Sequence, residues 1–175
     1  MADQPTIASL ITQIKHGDTI ARTSAVLQAQ LIGTDAIGPL GAVYAGKDAA
    51  ASRAACEAIK HIVYNAGRPS APTEAKAASV ALLKLTAPNY PRFVRADAIE
   101  GLGVVGGIAE ATELAKLLSD KDVSEDARLA IERIPGPEVD ALLKLTARTS
   151  SKEGRAAIDL SLKHRHKDMK KIGIK

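Results

Sequence analysis

The sequence predicts an all-α fold of about ten helices in five antiparallel pairs. Three observations predict it. Apolar residues recur at three- and four-residue spacing along the chain, and no segment sustains the period-two alternation of a half-buried strand. Gly, Pro, Asp, Ser and Thr interrupt that rhythm about every dozen residues. The heptapeptide ALLKLTA occurs twice, at Ala81–Ala87 and Ala141–Ala147, which marks an internal repeat.

The elements follow in order. The first pair spans Pro5–His16 and Asp18–Leu31, separated by Gly17, with Asp18 as the N-cap of the second helix. The second pair spans Asp35–Ala45 and Asp48–Asn65. The segment NAGRPSAP, Asn65–Pro72, carries two Pro and a Gly and forms the longest connection. The third pair spans Thr73–Ala87 and Pro91–Val104; Thr73 and Glu74 supply a cap residue and an early acid. The fourth spans Ile108–Ser119 and Ser124–Ile134. Pro135-Gly136-Pro137 then breaks the pattern and places a Pro at the first position of the next helix. The fifth spans Pro137–Arg148 and Ser151–Lys167.

Composition agrees with this reading. At 175 residues the chain suffices for one domain, 1–175, with a sizeable core. Aromatics are 2% of the residues, with no Trp, so the apolar mass is Ala, Leu, Ile and Val. Such side chains suit closely packed helices and not a β-sandwich. A single cysteine, Cys56, excludes an internal disulfide and reads as a buried, inert thiol. The opening MADQPTIASL has neither a basic nor a long apolar stretch, and no run reaches the roughly 18 apolar residues of a membrane helix. The expectation is a cytoplasmic protein without a membrane partner. Charge is uneven: Arg148–Lys175 holds nine Lys or Arg against three Asp or Glu, and the rest fifteen against seventeen. A near-neutral body therefore carries a basic end, most concentrated in the last 13 residues, Lys163–Lys175.

The second helices of the pairs superpose. ARTSAVLQA, SRAACEAI, VRADAIEGL, ARLAIERI and GRAAIDLSL each carry an Arg near the start, followed by Ala with a second small or apolar residue. The pairs Ala25-Val26, Ala55-Cys56, Ala98-Ile99, Ala130-Ile131 and Ala157-Ile158 stand at steps of 30, 43, 32 and 27 residues, the longest step containing NAGRPSAP. This pattern resembles the HEAT-like repeat of the phycobilisome-lyase type, whose second helix opens acid-x-x-V-R-x-x-A-x-x-x-L-G. FVRADAIEGLGVVGG is the best copy, with Val94, Arg95, Ala98, Leu102 and Gly103 in place. ARTSAVLQAQLIG keeps Arg22 and Ala25. GTDAIGPL, Gly33–Leu40, looks like the family's turn into the next first helix. The copy at Asp126–Pro137 departs, with Ile134-Pro135 for Leu-Gly. The resemblance covers essentially the whole chain. It implies an α-solenoid, a right-handed superhelix whose second helices line the concave face. Arg22 and Arg95 are then expected to tie adjacent repeats through acids or helix-end carbonyls. Leu82, Leu83 and Leu85, like Leu142, Leu143 and Leu145, are expected to pack between layers, with Lys84 and Lys144 in solvent.

No catalytic constellation appears. The four histidines, His16, His61, His164 and His166, lack partners at metal-ligand spacing. Gly101, Gly103, Gly106 and Gly107 read as a helix end and turn, not a phosphate loop. The expectation is a non-enzymatic scaffold or adaptor without a cofactor, binding a protein through charged residues of the second helices: Arg53, Glu57, Lys60, Asp97, Glu100, Arg128 and Glu132. Arg53–Glu57 and Arg128–Glu132 stand at ion-pair spacing. Two other readings are a lyase or chaperone-like protein acting on a tetrapyrrole-bearing protein, by family analogy, and nucleic-acid binding through the basic residues Lys163, Arg165, Lys167, Lys170 and Lys171.

Overall fold

The computed structural model describes residues 5–171, with side chains to residue 167. Among these residues ten α-helices and no strand are found: α1 (Ile7–His16), α2 (Thr19–Ile32), α3 (Ile37–Tyr44), α4 (Ala49–Ala66), α5 (Pro72–Leu85), α6 (Arg92–Val105), α7 (Ile108–Lys116), α8 (Ser124–Arg133), α9 (Pro137–Thr149) and α10 (Lys152–Lys171). Short 3-10 turns precede α3 at Thr34–Ala36 and follow α7 at Leu117–Ser119. The all-α expectation holds, helix by helix.

Local chemistry sets the boundaries. Thr6 and Ser9 form a reciprocal capping box at α1. Asp18 accepts from the Ala21 N–H, and Asp48 from the Ala50 and Ala51 N–H groups, satisfying donors that a helix start leaves open. Pro72 and Pro137 stand first in α5 and α9, where no N–H is needed. The α5 cap thus differs from the expected Thr73. Gly136, at φ +113°, turns the chain between the two prolines.

Packing runs along two rows. Within pairs, α1 meets α2, α3 meets α4, α5 meets α6, α7 meets α8 and α9 meets α10. Even-numbered helices then touch in succession: α2 on α4, α4 on α6, α6 on α8, α8 on α10. Among the odd helices α1 meets α3, α3 meets α5, and α7 meets α9. The seventh residue of each even helix faces the core: Ala25, Ala55, Ala98, Ala130 and, in α10, Ile158. Alanine there lets backbones approach closely, and Leu40, Ile62, Leu82, Ile99, Leu114 and Ile131 fill between helices. Gly101 and Gly103 are not turn residues. They lie inside α6, and a Cβ on Gly103 would sit 3.1 Å from the Ala130 Cα, so Gly103 permits the α6–α8 contact. Gly106 and Gly107 do form the turn.

The fourth residue of the even helices closes each hairpin. Arg22 donates from Nε to the Ile14 carbonyl at 3.0 Å and from Nη2 to Lys15 at 3.1 Å. Arg95 reaches the Thr86 carbonyl at 2.9 Å, and Arg155 the Ala147 carbonyl at 3.1 Å. In α4 the fourth residue is Ser52, whose hydroxyl donates to the Tyr44 carbonyl at 2.7 Å. Each donor satisfies a carbonyl at the end of the preceding helix, where the helix dipole favours positive charge. Ala127 holds this place in α8, and its methyl side chain can donate nothing. Arg95 also pairs at 2.5 Å with Asp120, between α7 and α8, and so ties its hairpin to the next as expected, whereas Arg22's bonds stay within its own hairpin.

Candidate interaction face

A helix turns 100° per residue, so the second, ninth and thirteenth residues share one face. On the even helices this face points away from the core. It carries Ile20, Leu27 and Leu31 on α2; Ala50, Glu57 and His61 on α4; Phe93, Glu100 and Val104 on α6; Glu125 and Glu132 on α8; Glu153, Leu160 and His164 on α10. The ninth residues alone read Leu, Glu, Glu, Glu, Leu. Exposed large apolar side chains concentrate on these helices. Among the described residues, Ile20, Leu27, Leu31, Tyr64, Phe93, Val104, Leu129 and Leu160 lie on even helices, and only Val80, Ile108 and Leu145 on odd ones.

Furrows separate the even helices. Arg22, Val26, Leu27, Arg53 and Glu57 line that between α2 and α4. Asp97, Glu100, Leu129 and Arg133 line that between α6 and α8. A third, between α4 and α6, spans about 490 Å³, part of it open to solvent. Its walls are Ile59, Val63, Leu82, Leu85, Val94 and Val104, with Lys60, Tyr64 and Glu100 among its lining.

Asp97 anchors one end of that cleft. The Tyr44 hydroxyl donates to Asp97 Oδ2 at 2.7 Å, and the Cys56 thiol reaches the same oxygen at 3.1 Å. The Tyr44 ring packs edge-on against Phe93, with centroids 5.1 Å apart. Burial, then the hydrogen bond to Asp97, pushes the Cys56 thiol up to about 11. The same two causes push the Tyr44 phenol above its ordinary range. Cys56 is thus a protonated donor at neutral pH, in keeping with an inert thiol.

The seven expected contact residues divide. Arg53, Glu57, Lys60 and Glu100 stand on or beside the outward face. Lys60 pairs with Glu57 at 3.3 Å, in place of the expected Arg53–Glu57 pair, and Glu100 pairs with Arg133 at 3.3 Å. Asp97 is held internally by Tyr44 and Cys56. Arg128 is buried: it bonds Glu125 through both carboxylate oxygens, Glu132 at 3.1 Å, and the hydroxyl of the fully buried Ser161 on α10. The Arg128–Glu132 pair is present within α8, while the bond to Ser161 joins α8 to α10, and together these bonds engage the Arg128 guanidinium. Glu132 also accepts His164 at 3.1 Å.

The basic end divides as well. Lys163 and Lys167 are exposed, and the side chains of Lys170 and Lys171 lie outside the described residues. Arg165 is 7% exposed. It pairs with Asp140 at 2.6 Å and donates to the carbonyls of Glu132 at 2.9 Å, Gly136 at 3.0 Å and Ile131 at 3.3 Å, and to that of Ile134. The reason lies in Pro135-Gly136-Pro137. Two prolines withhold the N–H groups that would otherwise help satisfy the end of α8, and Arg165 supplies donors instead. His166 joins the cluster at Asp140 Oδ2, 3.0 Å away. Burial opposes ionisation of Asp140, but Arg165 and His166 outweigh it and hold its carboxyl below the ordinary value.

A parallel link joins α5 to α7. Glu110, on α7, accepts from the buried Ser79 hydroxyl at 2.9 Å, from Lys76 at 3.3 Å and from the Gly107 N–H at 2.9 Å. Neither this link nor the Tyr44–Asp97–Cys56 cluster was legible in the sequence; the partners stand 31 to 53 residues apart and carry no motif. Among the described residues no group of three His, Cys, Asp or Glu could hold a metal ion, and no helix is long and apolar enough to cross a membrane. No protein-family model matches the chain, and no curated protein is found similar to it.

Proposed function

We propose that the chain is a non-enzymatic α-solenoid of HEAT-like hairpins, a right-handed stack that binds another protein across the outward face of its even helices. The observation that carries this reading is the asymmetry of exposed apolar side chains. Eight of eleven lie on even helices, interleaved with the charged side chains Arg53, Glu57, Lys60, Glu100 and Arg133. Mixed apolar and charged surface of this kind suits a protein partner. The succession of contacts among even helices supports the stack, as in repeat proteins whose units bury their faces on their neighbours. The inert Cys56 and the internally tied Asp97 support a binding role rather than catalysis. Arg165 is withdrawn from the basic end, which disfavours a nucleic-acid site there.

Site-specific photo-crosslinking tests the reading. A crosslinker at Glu100 or Leu129 should capture a defined protein, and one at Val80 or Lys144, on odd helices, should not. Glu100→Arg should weaken the purified complex at least tenfold with the melting temperature unchanged. Equal capture from both rows would overturn the reading, as would turnover of a substrate with no protein bound.

A further inference from the structure

The cleft between α4 and α6 is bordered by a carboxylate that no cation of the described residues neutralises. Asp97 takes two neutral donors on Oδ2, the Tyr44 hydroxyl at 2.7 Å and the Cys56 thiol at 3.1 Å. Among the described residues no donor reaches its Oδ1, and Asp97 forms no ion pair. The two cations that line the furrows beside it are engaged elsewhere, Lys60 with Glu57 and Arg133 with Glu100. Other carboxylates that join helices differ in this respect: Glu110 holds Lys76, and Asp140 holds Arg165.

The walls next to Asp97 are apolar and recessed. Ile59 and Val63 of α4, Leu82 and Leu85 of α5, and Val94 of α6 line the cleft, none more than 8% exposed. Gly101 adds no side chain to it; a Cβ there would sit 3.1 Å from Leu82 Cδ1 and 3.6 Å from Val63 Cγ1. The space, about 490 Å³ and shared with solvent, stands toward the small end of ligand sites. A flat protein surface cannot reach such walls, whereas a thin apolar group can. A carboxylate without a cation at the edge of apolar, low-dielectric surroundings favours a positively charged guest. We propose that the cleft binds a small organic amine, its ammonium on Asp97 Oδ1 and its single ring or short alkyl arm between α4 and α6. This site does not rest on the partner reading, because its walls lie beneath the outward face. A cleft that took no amine would leave that reading intact.

The test is a titration of the isotope-labelled full chain at neutral pH, followed by amide NMR. The probes are phenethylamine, phenethyl alcohol, phenylpropanoate and acetyl-lysine amide. Phenethylamine should shift the Val63, Asp97 and Gly101 amides with a Kd of about 0.1–1 mM, the range open to so few atoms. The alcohol should bind at least tenfold more weakly, and phenylpropanoate not at all. Asp97→Asn keeps an acceptor for Tyr44 and Cys56; it should lower amine affinity at least tenfold and leave the alcohol unchanged. Gly101→Ala, which favours the helix, should weaken both by crowding the cleft. The proposal is overturned by amides that do not shift, by equal binding of amine and alcohol, or by amine binding that survives either variant. Acetyl-lysine amide bound as tightly as phenethylamine would also overturn it, by assigning the cleft to a protein side chain.

Discussion

The two copies of ALLKLTA share seven residues and bury different faces. In α5, Leu82 and Leu85 are sealed in the core and Thr86 is buried beside them. In α9 the buried residues are Leu143 and Ala147, and Leu145, the counterpart of Leu85, is 61% exposed. The whole pattern has shifted by one residue, about 100° of helix rotation. Other pairs shift with it. Ser79 and Asp140 are the buried polar residues at equivalent registers, and Arg95 and Arg155 reach the carbonyls of Thr86 and Ala147. The cause lies outside the heptapeptide. Pro88 follows the end of α5 at Leu85, whereas α9 continues four residues past Leu145, the counterpart of Leu85, to Thr149, more than a turn further. Around α5 lie α3, α4 and α6, while α9 meets α7 and α10. Local sequence makes the helix; its neighbours choose the face.

The largest effect expected from this difference is at the α9–α10 cluster. Asp140→Ala strands the buried Arg165 guanidinium and should cost about 3–5 kcal/mol in chemical denaturation. At the α5 equivalent, Ser79→Ala removes a neutral hydroxyl from Glu110, which keeps the Gly107 N–H and Lys76, and should cost about 1–2 kcal/mol. Equal losses at the two sites would break the assigned equivalence.

The core leucines give the next test. Leu85→Ala should cost about 2–5 kcal/mol by opening a cavity in a packed site. Leu145→Ala, the same letter in the same heptapeptide, should fall within about 0.5 kcal/mol of the parent. A large loss at Leu145 would mean that α9 is not rotated.

What was legible in the sequence divides along the same line. Helix spans, hairpin pairing and the seventh-position alanines follow from period and cap chemistry within one hairpin. The exposure of Leu145 does not, nor do the burial of Arg128 and Arg165 or the capture of Asp97 by Tyr44 and Cys56. Each depends on an element brought in from a distant part of the chain. Arg165 shows this best. Its neighbours in sequence are basic and solvated, and only the proline-flanked turn at Gly136, 29 residues earlier, gives it a reason to be inside.

The hairpin-closing arginines sharpen the comparison at smaller scale. Arg95, 5% exposed and paired with Asp120, should cost about 3 kcal/mol as Arg95→Ala, since removal leaves the Thr86 carbonyl and Asp120 without their donor. Arg155 is exposed and makes one carbonyl bond, so Arg155→Ala should cost about 0.5–1.5 kcal/mol. Placing Arg at Ala127 would ask whether the fourth hairpin can use the same device.

Acid should reach both halves of the molecule. Glu110 and Asp140 play matching parts: each is a buried carboxylate joining one helix to another. Burial opposes ionisation of Glu110, and the Gly107 N–H, Ser79 and Lys76 together hold it below its ordinary 4.5. Arg165 and His166 do the same for Asp140, whose ordinary value is 3.8. A carboxyl depressed in the folded state adds stability that is fully present above its ordinary value and is lost as pH falls through the depressed one. Stability to urea should therefore be flat above about pH 5 and decline below it as both carboxyls take up protons. Glu110→Gln and Asp140→Asn should each remove part of that decline, and the double variant more than either. If one variant alone abolishes the whole decline, the two carboxylates do not contribute separately.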